Sequence, residues 1–176
     1  MDLIRIGDKL LSRRKIINCI DRILELRSSG KSQIEVANEL AIDRAWISRL
    51  ESMGEVRKGG RVAVIGFPVQ NPAELQQVAV EEEVEFHLLL TDEERWRWAA
   101  GFSGADMFNR LMEMIISLKD FDTVIFLGSD MRIRLVEAIL GRDMVIGVEL
   151  GTSPIKGDVY VSPAELRQMI KAVKGR

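Results

Sequence analysis

The feature that most constrains the fold is an alternation of apolar runs and helical patterns between residues 61 and 176. Short apolar runs indicate β-strands, whereas side chains that repeat every three or four residues indicate helices. Strands joined by helices run parallel, because the helix returns the chain to the edge where the previous strand began. We therefore expect an α/β domain of three layers with a mainly parallel, five-stranded sheet. The predicted strands are 62–67, 84–90, 123–127, 144–150 and 158–161, and the predicted helices are 72–80, 93–118 with a break at 101–104, 131–140 and 163–173.

The apolar content of these strands predicts their order. Residues 62–67 and 123–127 are apolar nearly throughout, which is typical of central strands that helices cover on both faces. Residues 84–90 alternate apolar with polar side chains, which is typical of an edge strand. A second strand at the edge gives the flavodoxin-like variant of a Rossmann-like domain, with order 2-1-3-4-5. His87 then lies on the edge strand, and no cysteine or second histidine accompanies it as a metal ligand.

Any small ligand of this domain is expected beyond the carboxyl ends of the first and third strands, where the chain changes direction. Glycine and a hydroxyl at a helix start leave backbone N–H groups free for an anion, and Arg132 could add a positive charge. Asp130 disfavours an anion and could cap the helix instead. Plain turn chemistry is an equal alternative, since no glycine-rich phosphate motif is present. The candidate ligand-binding residues are Gly66, Phe67, Pro68, Gly128, Ser129, Asp130, Arg132, Glu149, Thr152 and Ser153.

Residues 33–52 predict two short helices that meet at a tight corner. Ser32 can cap the first helix and Asp43 the second, and only residues 41–42 separate them, so the helices must cross steeply. A small residue where the helices approach and an apolar residue in their angle are the requirements of a helix-turn-helix. The expected inward-facing residues are Ile34, Val36, Ala37 and Leu40 in the first helix, and Ile47, Leu50 and Met53 in the second.

Ala37, Ala41 and Ile47 match the key positions of a known DNA-binding motif, and residues 46–51 are similar to its recognition helix. The stretch resembles the motif of Cro- and phage-repressor-type (XRE-like) transcription regulators, which implies that the second helix binds double-stranded DNA. Ala41 departs from that family, in which glycine is common here. An ordinary helical hairpin in a bundle is the alternative.

The outward face of the second helix carries the expected contacts with DNA. Arg44 and Arg49 could each make a paired contact with guanine, and Ser48 could donate to a base or a phosphate. Ala45 leaves room or contacts a thymine methyl group, and Gln33 could hold a phosphate. The candidate DNA-binding residues are therefore Gln33, Arg44, Ala45, Ser48 and Arg49.

Charge and two glycines place the domain boundary at residue 60. We expect a helix-turn-helix domain over 1–60 and the α/β domain over 61–176.

Residues 1–60 contain 12 Lys and Arg against 9 Asp and Glu, although the whole chain has a net charge of −2. A basic head suits a phosphate partner. Because this excess is small, one copy should bind DNA weakly, and we expect a homodimer. Arg57, Lys58 and Arg61 could contact the DNA backbone, with a hydrophilic linker as the alternative.

Three further segments carry weaker expectations. Residues 13–28 predict a helix that packs behind the motif, with the single cysteine, Cys19, on its apolar face. Residues 2–12 show no clear period and predict only an arm or a short element. Residues 111–118 are apolar around much of a helix, so most of them should be buried, with subunit contact as the alternative.

The chain lacks the usual signs of an enzyme or a membrane protein. The predicted loops hold no cysteine or histidine pair for nucleophilic catalysis, no cluster of metal ligands and no recognisable carboxylate pair. We therefore expect no catalysis and no cofactor. No apolar run is long enough to span a bilayer, and the start does not resemble a signal peptide, so a cytoplasmic protein is expected.

These patterns together favour a DNA-binding transcriptional regulator whose α/β domain dimerises, binds a small anionic effector, or does both. One alternative is a small α/β enzyme or nucleotide-binding protein whose helical head is a protein-interaction module. Another is a structural dimer without an effector.

Overall fold

The computed structural model describes residues 2–56 and 59–175 and divides the chain into two units, Met1–Glu55 and Val56–Arg176. The first unit opens with an antiparallel hairpin of β1 (Leu3–Ile6) and β2 (Lys9–Ser12), where the sequence predicts only an arm or a short element. Three helices follow, α1 (Arg13–Ser28), α2 (Gln33–Leu40) and α3 (Arg44–Gly54). Arg57 and Lys58, named above as candidate backbone contacts, lie outside the described residues.

The three helices enclose a small core of their own. Buried residues come from each helix, and half-buried Cys19 packs against them as predicted. Ser32 caps α2 in a capping box with Glu35, and Asp43 caps α3, so both predicted caps are confirmed. The core consists of Ile23, Leu26, Val36, Ala37 and Ile47.

Two residues predicted to face this core are exposed instead. Ile34 is 59% exposed and Met53 is 77% exposed. Ile34 lies in the first turn of α2 and Met53 in the last turn of α3, where the helices diverge from the corner that Ile47 fills. The apolar repeat in the sequence extends to the ends of these helices, but the contact between the helices does not.

The second unit is built on a four-stranded parallel sheet. Its strands are β3 (Val62–Gly66), β4 (Phe86–Leu89), β5 (Thr123–Ser129) and β6 (Val145–Gly151), in the order β4-β3-β5-β6. β3 and β5 are buried throughout and β4 is at an edge, as the sequence predicts. This order matches the prediction for the first four strands.

The predicted fifth strand at 158–161 is wrong for the described part of the chain. Only one bridge forms there, between Val159 and Val69. The backbone of Val161 is not available for strand pairing, because it is bonded to the Asn71 side chain. Asn71 Oδ1 accepts from the N–H of Val161 (3.1 Å), and Asn71 Nδ2 donates to the carbonyl of Val161 (2.9 Å). The Asn71 side chain makes no capping hydrogen bond to α4, since it is used here.

Five helices surround the sheet: α4 (Pro72–Glu81), α5 (Asp92–Ala100), α6 (Gly104–Leu118), α7 (Asp130–Leu140) and α8 (Pro163–Lys174). α4 and α8 bury side chains such as Leu75 and Leu166 against one face of the sheet. α6 and α7 contribute Leu118 and Leu140 to the core on the other face. No helix in the described ranges is long and apolar enough to cross a membrane.

α6 is much less buried than its composition predicts. Of its apolar residues only Leu118 is buried, and Met114 and Ile115 are half-buried against the sheet. Leu111, Met112 and Ile116 are exposed. The helix therefore rests on the sheet by its last turns, and its first turns leave space beneath them.

Candidate nucleic-acid interface and ligand cavity

α3 presents a continuous polar face on the side opposite its buried residue. Ile47 is fully buried, whereas Arg44, Ala45, Ser48 and Arg49 are all exposed. These four positions are adjacent on a helix, because residues four apart lie one turn above each other. Within residues 2–56 and 59–175, neither Arg44 nor Arg49 makes a side-chain hydrogen bond or ion pair. Both guanidinium groups are thus free to bind a ligand.

The corner that orients α3 is tight. Ala41 ends α2 in the left-handed conformation, with φ 53° and ψ 44°, and the N–H groups of Ala41 and Ile42 both donate to the carbonyl of Ala37. The N–H of Ala45 donates to the Asp43 carboxylate at 2.8 Å, which fixes the first turn of α3. The start of α3 is consequently the most constrained part of its exposed face.

Gln33 is placed differently from its predicted role as a phosphate contact. Its Nε2 donates to Glu51 Oε2 at 2.7 Å, and Arg27 Nε donates to Glu51 Oε1 at 2.5 Å. The hydrogen bond from Arg27, and then that from Gln33, lowers the pKa of Glu51 below its usual value. Gln33 therefore joins the start of α2 to α3, and its role as a phosphate contact stays a prediction.

In the second unit, the glycines at the carboxyl ends of β3 and β5 serve packing. A Cβ on Gly66 would lie 2.9 Å from the side chains of Leu127 and Leu89, and one on Gly128 would lie 2.7 Å from the Phe126 ring. Pro68 is buried, and its carbonyl accepts from Val159 N–H. These residues shape the sheet edge, and their role in binding a ligand stays a prediction.

The expected anion position at the start of α7 is filled by the chain itself. Ser129 is buried and caps α7, and Asp130 Oδ1 accepts from the Ser153 N–H at 2.8 Å. The N–H groups of Ser153 and then Met131 lower the pKa of Asp130, so its carboxylate is charged near neutral pH. Glu149 and Thr152 are exposed beside this loop. Ser129, and not Asp130, caps α7, so the alternative that Asp130 caps the helix is wrong, while its carboxylate at the helix start disfavours an anion.

Sequence reasoning missed an apolar cavity of about 460 Å³ on the α6–α7 face of the sheet. Its floor includes Phe67 and Leu88 at the carboxyl ends of β3 and β4, and its walls come from α5, α6 and α7. Trp98 on α5 lines it and packs edge-on against Phe102, with ring centroids 5.5 Å apart. The signal in the sequence was the composition of α6, which has more apolar residues than pack against the core.

Two arginines are the polar residues that line this cavity. Arg95 Cζ lies 5.9 Å and Arg132 Cζ lies 5.2 Å from the centroid of the Phe67 ring, so both cations lie close to one aromatic ring. Arg132 was a predicted ligand residue, but it lies with the cavity and not with the hydroxyls of the loops.

The charges around these arginines are unbalanced. Arg95 Nη2 donates to Asp92 Oδ1 at 2.6 Å, while Arg95 Nε is buried without a hydrogen-bond partner among the described residues. The side chain of Arg132 has no hydrogen bond or ion pair in that part of the chain. Burial, and then the nearby charge of Arg95, lowers the pKa of Arg132. Two cations thus share one carboxylate at the edge of an apolar space.

No group of three or more histidine, cysteine, aspartate or glutamate residues in the described ranges could hold a metal ion. Comparison with family models, with curated proteins and with solved structures gives no match to this chain. The function of the protein is therefore inferred from the geometry of the α3 face and of the cavity.

Proposed function

We propose that the protein is a sequence-specific DNA-binding transcriptional regulator. In this proposal α2 and α3 form an XRE-like helix-turn-helix, and the second unit is a Rossmann-like domain of the flavodoxin type that dimerises and senses a small molecule. The observation that carries the proposal is the exposed, unpaired arginine pair on α3, a helix whose other face is fixed in the core. Such a protein acts where the chromosome is, which for a bacterial-type regulator is the cytoplasm.

The chemistry of that face suits the major groove. A guanidinium group donates two parallel hydrogen bonds to guanine O6 and N7, and each such contact contributes about 1–3 kcal/mol of discrimination between bases. Recognition helices contact base edges with their N-terminal residues, and here Arg44 and Ala45 form the first turn. Small Ala45 lets the helix approach the bases, and Ser48 lies one turn further along the same face.

A second copy of the chain is the proposed partner for the exposed stripe on α6. Phe108, Met112 and Ile116 follow one another at intervals of four residues, and Phe108 and Ile116 are 63% and 65% exposed. None of the three lines the cavity. A symmetric pair would present two recognition helices to a palindromic site, which compensates for the small basic excess of one head.

Selection from a random double-stranded DNA pool, at several salt concentrations, tests the proposal. The wild type should enrich a near-palindromic sequence, and an Arg44→Ala, Arg49→Ala variant should bind that sequence at least tenfold more weakly. The control is Arg110→Ala, Arg142→Ala, which removes the same charge from exposed positions in the second unit. Enrichment of no sequence, or equal losses in the two variants, would overturn the proposal and favour an enzyme or an interaction module.

A further inference from the structure

We propose that the cavity bounded by the sheet and by α5, α6 and α7 binds a medium-chain fatty carboxylate. The acyl chain would lie along the α6 wall, and the carboxylate would lie between Arg95 and Arg132. Binding of this ligand does not depend on the proposed function, but its role as the effector that controls DNA binding rests on that function.

The lining requires an apolar body. Apart from the two arginines, every lining residue in the described part of the chain is apolar, and Leu88, Trp98, Leu111, Met114 and Val136 come from four different elements. A volume of about 460 Å³ lies within the range of about 300–1,000 Å³ that is usual for small-molecule sites. Protein interiors are normally packed to the density of organic crystals, so an apolar space of this size next to a core is typical of a site that a ligand fills.

The charges require one anionic group. Arg95 and Arg132 lie close to the same Phe67 ring, and Asp92 forms an ion pair with Arg95 alone of the two. A cation beside an apolar space is stabilised when an acceptor with the opposite charge replaces the lost water. The free Nε of Arg95 is a donor that such an acceptor would satisfy. Burial, and then the charge of Arg95, lowers the pKa of Arg132, and the charge of Asp92 offsets part of this effect.

A carboxylate fits better than a phosphate. Phosphate sites generally use several backbone N–H groups at a helix start, and at α7 those groups already bind Ser129 and Asp130. Asp92 lies beside Arg95 at 2.6 Å and would repel a dianion. Two guanidinium groups without a backbone cradle match the two oxygens of a single carboxylate.

The position of α6 explains how such a ligand could act. Met107, Leu111 and Ile115 line the cavity, while Phe108, Met112 and Ile116 form the exposed stripe proposed for the second copy. One helix therefore carries both surfaces. A chain that fills the cavity would hold the first turns of α6 in place, and the ligand would shift the dimer by its preference for that position.

Calorimetric titration of the full chain with decanoate, decanol and decyltrimethylammonium tests the proposal. Decanoate should bind at least tenfold more tightly than decanol, and the cation should not bind. From octanoate to decanoate the affinity should rise about fourfold for each added methylene group, since each buried CH₂ contributes a constant increment. Equal affinity for the acid and the alcohol would overturn the role of the arginines, and absence of decanoate binding would overturn the site.

Variants locate the site. Arg132→Gln should weaken decanoate at least tenfold and leave decanol unchanged, whereas Arg134→Gln, an exposed arginine on the same helix, should change neither. Arg95→Gln and Arg97→Gln form the same comparison on α5. Ala99→Phe should abolish binding of both decanoate and decanol by filling the cavity. Equal effects of Arg132→Gln and Arg134→Gln, or unchanged binding to Ala99→Phe, would contradict the proposal.

Two readouts separate this inference from the proposed function. Decanoate binding is measured without DNA, so it can succeed when the DNA selection fails. Addition of decanoate to the DNA-bound protein then tests the effector role, with at least a fivefold change in DNA affinity expected. No change would overturn the effector role and leave the binding site intact.

Discussion

Ala41 is the residue on which the corner between α2 and α3 depends, and its backbone is strained. An L-residue with a Cβ in the left-handed region costs about 1–2 kcal/mol, and Ala41 has φ 53°. Glycine would remove that cost, although its freedom in the unfolded chain offsets about 0.4–1 kcal/mol. We expect Ala41→Gly to raise the stability of the first unit by about 0.5–1 kcal/mol.

The fluorescence of Trp46 can report the predicted change in the stability of the first unit. With Trp96→Phe and Trp98→Phe as background substitutions, urea unfolding followed by fluorescence reports α3 alone. The control is Ala45→Gly, the same substitution in a helix, which should lower the stability by about 0.5–1 kcal/mol. A shift of the unfolding midpoint in the same direction for both variants would contradict the strain at Ala41.

At the residue scale, the sequence predicts interactions between neighbours better than interactions across the fold. Ser32 and Asp43 cap as predicted, because a cap depends on groups two or three residues away. The hydrogen bond from Gln33 to Glu51 could not be predicted, because Glu51 lies on another helix. The charge imbalance at Arg95 and Arg132 could not be predicted for the same reason, since it requires α5 and α7 each to bring an arginine close to Phe67.

At the scale of elements, hydrogen bonds from the Asn71 side chain take the place of the strand pairing that the sequence predicts at 158–161. Its side chain pairs with both backbone groups of Val161 and ties the β3–α4 connection to the segment before α8. Loss of these part-buried bonds leaves the N–H and the carbonyl of Val161 without partners. We expect Asn71→Ala to destabilise the second unit by about 1–3 kcal/mol, in thermal unfolding followed by circular dichroism.

Asn109→Ala provides the comparison for this element. Asn109 is exposed on α6, so its loss should change the stability by less than about 0.5 kcal/mol. In hydrogen exchange, the Val161 amide should lose protection in Asn71→Ala and keep it in Asn109→Ala. Equal unfolding temperatures for the two variants would show that the Asn71 bonds contribute nothing.

The order of the strands was predictable because it depends on composition alone. β3 and β5 are apolar enough to be central, and β4 and the residue before it carry His87 and Glu85, as suits an edge. The burial of α6 was not predictable, because an apolar helix surface can face a core, a ligand or another protein. Here different apolar residues of α6 contact the sheet, line the cavity and form the exposed stripe.

At the scale of the whole molecule, the proposed regulator requires two copies, and the stripe on α6 is where they are expected to meet. The Ile116→Lys substitution would place a charge in that interface, which is costly because the charge must be desolvated without a partner. We expect Ile116→Lys to shift the protein from dimer to monomer in sedimentation velocity. Its affinity for the selected palindrome should fall at least tenfold, whereas binding to a half-site should change little.

Val80→Lys is the matched control for that experiment. Val80 on α4 is 65% exposed, as is Ile116, but it lies outside both the stripe and the cavity. The control should sediment and bind DNA as the wild type does, because an isolated exposed valine contributes little to association. If Ile116→Lys remains dimeric, the copies meet elsewhere. If it is monomeric and still binds the palindrome as tightly as the wild type, two linked heads are not needed, and the dimer has no part in DNA recognition.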